Sequence, residues 1–183
     1  TIGGTSTHAA MPHTGVDPVP VAAQVVMGLQ TIASRQISAQ EPTVLSIATI
    51  NGGNRFNIIA DKVTMTGTVR SLSPTGPDVI KERMDKILGG ITSSYGATYT
   101  LDYVRGNPVT FNDPALTAAS LPALEAVVGK ARLVVPPVQM VAEDFAWYQK
   151  RIPGLYFFLG VANPQKKITA MNQEATRARP STW

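Results

Sequence analysis

The stretch "TVLSIATINGGNRFNIIADKVTMTGTVRS", residues 43–71, decides the fold. Its first part, TVLSIATI (43–50), is β-branched and alternating, which predicts a strand. NGGNRFN (51–57) is turn chemistry, and KVTMTGTVRS (62–71) alternates again. In this second strand Val63, Met65, Gly67 and Val69 share one face, while Thr64, Thr66, Thr68 and Arg70 share the other.

Helical signals flank the pair on both sides. Residues 16–36, VDPVPVAAQVVMGLQTIASRQ, carry Asp17 before Pro18, an N-cap followed by a first-turn proline. Val21, Val25, Leu29 and Ile32 then recur at helical spacing. Downstream, SPTGPD starts a helix over 77–95 whose apolar side holds Val79, Ile80, Met84, Ile87, Leu88 and Ile91. Gly96 ends it, and ATYTLDYVRG (97–106) reads as a further strand. With residues 1–9 as the stub of a first strand, the order is β-α-β-β-α-β. The expected fold is therefore α+β, a ferredoxin-like arrangement with two helices over a four-stranded antiparallel sheet.

GNPVTFNDP (106–114) marks a boundary. Beyond it lie an Ala/Leu helix (114–128), a Pro-rich turn, VAEDFAWYQK, and the apolar run GLYFFLGV (154–161), read as a buried strand. One strand and one short helix cannot close a core, so this part reads as a piece of a larger domain.

The totals restrict the function classes. The 183 residues are 44% hydrophobic and 15% charged, the balance of a globular protein rather than a disordered one. The net charge of +4 is spread thinly until the end of the chain, without a basic stripe or interleaved aromatics, so nucleic-acid binding is not expected. No apolar run reaches the ~18 residues of a membrane span. TIGGTSTH at the start has neither the basic opening nor the apolar core of a signal peptide. The absence of cysteine fits a reducing compartment, and a cytoplasmic location is expected.

Chemistry has few places to reside. The only two histidines, His8 and His13, lie in THAAMPH (7–13) with Pro12 between them, so they share no helix face. A catalytic zinc site needs about three protein ligands, and no spaced His/Cys/carboxylate set is present, so no metal is expected on this chain alone. Ser6 and Thr7 are merely adjacent to His8, and no nucleophile elbow occurs. What remains is a polar set at strand ends: His8, Asn57, Arg70 and Asn54. Imidazole, carboxamide and guanidinium suit a carboxylate anchor and an acyl-oxygen donor. Plainer readings stand beside that one: Asn57 as a left-handed turn residue, Arg70 as a solvated edge charge, His8 as structural. Glu143 and Asp144 read most simply as caps of the helix that follows them.

Three segments carry a resemblance. GGTSTHAAMPHTGVDPVPVAAQVV, INGGNRFNIIADKVTMTGTVRS and AEDFAWYQKRIPGLYFFLGVANP closely resemble, in order, the zinc-dependent aminoacylase and carboxypeptidase clan. The nearest branch is that of amidohydrolases such as hippurate hydrolase and indole-acetyl-amino-acid hydrolases. The match runs from about residue 3 to Asn172.

The resemblance implies that residues 1–107 are a lid that also forms a homodimer, with part of its first strand lying outside these residues. It implies that 108–183 are an incomplete C-terminal part of an α/β catalytic domain. His8 matches the lid histidine that stabilises the oxyanion at the partner's metal site. Asn57 and Arg70 match lid positions that contact the carboxylate end of the substrate. His13 is left as a loop residue and Glu143 as a supporting one. In the intact parent a divalent metal (Zn, Mn, Co or Ni) would activate water to attack the amide of a small N-acyl amino acid or peptide.

The departures count as well. The family's first metal ligands and its general base precede the lid. Its last ligand is a histidine after a segment like ITAMN (168–172), where this chain has Gln173, a poor zinc ligand, and an atypical basic tail over 173–183. The chain alone is therefore expected to be inactive. Two alternatives remain: a non-catalytic dimerisation or carboxylate-binding module, and a metal-free hydrolase built on His8.

Overall fold

The computed structural model describes residues 1–161. Four strands, β1 (Ile2–Gly3), β2 (Thr43–Gly52), β3 (Lys62–Ser71) and β4 (Thr98–Tyr99), form one sheet in the order β2-β3-β1-β4, every neighbour pair antiparallel. Helices α1 (Pro18–Thr31) and α2 (Gly76–Ser94) pack on it, giving the expected β-α-β-β-α-β order. The expectations placed on Gln173 and the tail 173–183 lie outside the described residues.

The periodicity read from the sequence builds the core. Val21, Val25 and Ile32 are fully buried and Leu29 nearly so, one stripe along α1 and the turn after it. From α2 come Ile80, Met84 and Leu88, and from the sheet Ile2, Leu45 and Val63. Asp17 caps α1 by accepting the Val19 N–H at 2.9 Å. The helix closes in a wider π-type turn over Ile32–Gln36, so the helical run ends where the pattern ended. After α2 the chain turns at Gly96 with φ +65°, a conformation that a side chain would strain.

Two strands differ from expectation. The run 97–106 pairs as a strand only at Thr98–Tyr99. Its inside–outside alternation continues to Val104, yet the ladder stops after Thr100, which exchanges two 2.9 Å backbone bonds with Thr1. Strand assignment needs a neighbour, and among the described residues none lies beside 101–105. The run 154–161 differs from the buried strand expected there: it forms no strand, and its second half is open to solvent, with Phe157, Phe158, Leu159 and Val161 between 58% and 77% exposed. An apolar run buries itself as a strand only where another strand and a covering layer exist.

The described residues divide into two compact units, one of Thr1–Val109 with Met140–Glu143, the other of Thr110–Gln139 with 144–161. In the second, Asp113 caps α3 (Pro114–Val128) by accepting the Leu116 N–H at 2.8 Å. Asn112 grips Tyr156 through two bonds, its amide donating to the Tyr156 carbonyl at 2.8 Å and its oxygen accepting the Tyr156 N–H at 2.7 Å. The short helix α4 (Ala146–Gln149) adds Phe145 and Tyr148, whose rings stand 6.0 Å apart. No residue of α3 is buried, and Val127, Val134, Val135 and Val138 are all more than 70% exposed. No helix among the described residues is long and apolar enough to cross a membrane.

Candidate functional site

Beyond β1 the chain continues antiparallel to residues 57–61. Gly4 donates to the Asp61 carbonyl at 2.7 Å, Ile59 to the Thr7 carbonyl at 2.9 Å, and Ala9 to the Asn57 carbonyl at 3.0 Å. His8 thus forms an isolated bridge opposite Ile58. The sequence places His8 and Asn57 far apart, and the sheet edge makes them neighbours.

The loop that follows is closed at its base and braced inside. Thr5 and Val16 exchange two backbone bonds at 2.8 and 3.0 Å. A Cβ on Gly15 would run into the Thr5 carbonyl, so only glycine allows that approach. A short 3-10 helix, Pro12–Thr14, fills the loop and carries His13, which is exposed. The Thr7 and Thr14 hydroxyls meet at 2.6 Å, and Ser6 donates to the Ile59 carbonyl at 2.7 Å. Ser6 and Thr7 are therefore braces of the loop rather than nucleophiles, roles that adjacency to His8 did not reveal.

The His8 ring is exposed, and its Nδ1 accepts the Ala10 backbone N–H at 3.1 Å. An Nδ1 that accepts a hydrogen bond leaves the neutral imidazole's proton on Nε2. The nitrogen remaining is thus a donor, the form a group needs to stabilise negative charge on an oxygen.

Asn57 is half-buried. Among the described residues no residue other than glycine has a positive φ, so the left-handed reading of Asn57 is excluded; Gly53, at φ +72°, takes that conformation instead. Asn54 lies in an exposed bend before it. Arg70 is half-buried near the far end of β3, opposite Val44. Seven residues of strand separate it from Val63, roughly 23 Å at about 3.3 Å per residue. His8 lies beyond the Val63 end, so one copy of the chain cannot direct His8, Asn57 and Arg70 at a single small ligand.

The remaining candidates are settled locally. At the start of α4 the N-cap residue Phe145 makes no side-chain cap bond, and the Asp144 backbone carbonyl accepts the Trp147 N–H at 2.9 Å. Among the described residues no group of three or more His, Cys, Asp or Glu side chains is placed to hold a metal ion. The donors among the described residues do not fit the metal implied by the resemblance.

Comparison with known proteins sets this geometry in context. The family described as peptidase dimerisation domain matches residues 1–95. The N-acetyl-L-cysteine deacetylase of Bacillus subtilis is 34% identical, with 87% of this chain aligned to 38% of the relative. The IAA-amino acid hydrolase ILR1-like 5 of Arabidopsis thaliana is 32% identical over 95% of this chain and 43% of its own length. Among solved structures, the Bacillus subtilis YXEP protein, described as a dinuclear metal binding peptidase of the M20 family, is 29% identical with a TM-score of 0.56, over 84% of this chain and 38% of that one. The chain spans about two fifths of the length of the relatives it matches.

Proposed function

The chain belongs to the M20 family through its peptidase dimerisation domain, and from that premise we propose that it supplies the lid, the dimer contact and part of the catalytic domain of a metal-dependent amidohydrolase acting on N-acyl amino acids. Residues 1–107 are assigned to the lid and 108–183 to the catalytic part. The deacetylase and IAA-amino acid hydrolase relatives support the substrate class, since their names denote amide bonds to an amino acid.

One observation carries the reading: His8 with Asn57, and Arg70, lie toward opposite ends of the sheet. A second copy resolves that separation. β2 is an edge strand of ten residues with neither charge nor proline, the kind of edge that pairs with another strand. If β2 pairs with β2 of a second copy about a two-fold axis, the Thr43 end of one strand lies beside the Gly52 end of the other. Arg70 then sits at the same end of the joined sheet as His8 and Asn57 of the other copy. There Arg70 binds the carboxylate of the N-acyl amino acid, Asn57 helps to orient it, and the His8 Nε2–H donates to the oxygen of the acyl carbonyl as charge develops on it.

The metal is assigned to donors elsewhere in the longer protein, so this chain alone is expected to dimerise without hydrolysing substrate. The exposed valines and phenylalanines of the second unit fit a surface that the rest of a catalytic domain covers. A cysteine-free chain is in keeping with a cytoplasmic parent. The lack of a metal donor set among the described residues also favours a second reading, a non-catalytic carboxylate-binding dimer module.

The test is light scattering with metal analysis on the chain incubated with Zn²⁺ and desalted. A dimer with negligible retained zinc is expected. A monomer at all accessible concentrations, or a dimer retaining stoichiometric zinc, overturns the assignment. Activity on N-acyl amino acids once the chain is expressed within a longer M20 reading frame, and lost on His8→Ala, separates the enzyme from the module.

A further inference from the structure

On the helix side of the sheet an open pocket of about 240 Å³ lies where β2 begins and β3 finishes. It is framed by the π-type turn Ile32–Gln36, the turn 38–41 and the first turns of α2. Thr43 and Ser71 are register partners at its floor, and alternation places their side chains on the inward face with Leu45 and Val69. Arg70, one residue before Ser71, faces the other way, so this pocket is separate from the position proposed for the substrate carboxylate.

The pocket presents more donors than the protein itself uses. Arg83 reaches it from α2 and donates through Nη1 to Gln36 Oε1 at 3.4 Å, while Gln36 donates to Thr31 Oγ1 at 2.9 Å. Among the described residues Arg83 forms no ion pair, which leaves most of its five N–H groups uncommitted. Ser38 and Ser71 each accept a backbone N–H on Oγ, from Gln40 at 3.2 Å and Ser73 at 3.1 Å, so each keeps its own proton to donate. Thr43 Oγ1 is shut away from solvent without a hydrogen-bond partner, an uncommon state for a polar atom. The N-terminus of α2 adds no free amide here: Gly76, Asp78 and Val79 donate to the Ser73 and Thr75 carbonyls, and residue 77 is proline. Asp78 is paired with Arg105 at 3.2 Å. The one acid on the wall is therefore Glu41, which is exposed and forms no ion pair among the described residues.

We propose that this pocket binds a free α-amino acid with an aliphatic side chain. Arg83 and the hydroxyl donors suit an α-carboxylate, and Glu41 suits an α-ammonium. Both charges line one space without pairing with each other, as a zwitterion between them requires. Ile37 and Val79 supply an apolar lining for the side chain. The volume falls below the roughly 300 Å³ at which pockets for larger ligands begin, which restricts the occupant to few atoms. A metal cation is opposed by Arg83, and a phosphate by Glu41. A free amino acid is also what the proposed hydrolysis releases, but the binding stands on the pocket and not on that reading.

The experiment titrates the full chain with L-valine and reads backbone amide shifts by NMR at residues 36–43 and 71–79. Saturable shifts confined to these residues are expected. L-valinamide, which lacks the carboxylate, is expected to bind about tenfold or more weakly, and N-acetyl-L-valine, which lacks the ammonium, about threefold more weakly. Arg83→Gln should weaken L-valine as much as loss of its carboxylate does. Glu41→Gln, at an exposed position that folding tolerates, should abolish the preference for L-valine over its N-acetyl form. Arg70→Gln should leave L-valine binding intact, so this site and the proposed substrate site fail or stand separately. The absence of saturable shifts, equal affinity for the three probes, or loss of binding in Arg70→Gln overturns the proposal. So does inorganic phosphate that matches L-valine at the same amides, since the pocket would then be a plain anion site.

Discussion

Ala10 donates its backbone N–H to Nδ1 of His8 at 3.1 Å, so a main-chain amide two residues on selects which imidazole nitrogen carries the proton. Nitrogen-detected NMR of the neutral ring is expected to show the Nε2–H tautomer. A spectrum dominated by the Nδ1–H form would remove His8 as an outward-facing donor and, with it, its proposed role at an acyl oxygen.

The β2 edge carries the second prediction. Ile50, 55% exposed on that strand, gains a charge in Ile50→Lys, and a lysine on an edge strand opposes pairing with a neighbour. The dimer dissociation constant measured by sedimentation is expected to rise by about tenfold or more. The monomer's thermal midpoint should change little, because the site is on the surface. An unchanged dimer would place the contact on another face.

Core packing gives a stability test. Ile80 is fully buried between α2 and the sheet cluster, so Ile80→Ala removes buried methyl groups and leaves a cavity. Denaturant unfolding is expected to show a loss of about 2–5 kcal/mol. A loss below about 1 kcal/mol would mean that this face of α2 is not packed as described.

Tyr103 gives a pH signature. Burial raises its hydroxyl pKa, with the nearby Asp78 carboxylate adding to the effect. A phenol with a raised folded-state pKa holds its proton longer in the folded chain than in the unfolded one. Its stabilisation is therefore complete below the unfolded value, about pH 10, and is lost as pH climbs through the folded value. Stability should decline more steeply above pH 10 in the native chain than in Tyr103→Phe. At neutral pH the variant also lacks the bond to the Pro77 carbonyl, worth about 1 kcal/mol. Parallel profiles above pH 10 would contradict this assignment.

Much of the first unit was readable in the chain itself. Strand faces at Val63, Met65 and Val69, the helix stripe from Val21 to Ile32 and the Asp17 cap all follow from local periodicity and capping, which need no distant partner. The run 154–161 shows where that reasoning stops. Its apolar composition suits a strand, but a strand exists only with a neighbour to accept its backbone bonds, and that lies outside any local window. The site divides the same way. His8, Asn57 and Arg70 could be chosen from their chemistry and from the resemblance, whereas Asn57 as a left-handed turn could be dismissed only once Gly53 was found in that role.

By itself, the sequence determined the order of elements, the face each one buries and the small set of polar residues able to meet a carboxylate or an acyl oxygen. These depend on spacing along the chain, which side-chain geometry converts directly into faces. Only the tertiary structure decided that His8 lies beside Asn57 while Arg70 lies toward the opposite end of β3. Register across a sheet is set by long-range backbone pairing and by the core it closes, and neither is encoded in any short run of residues.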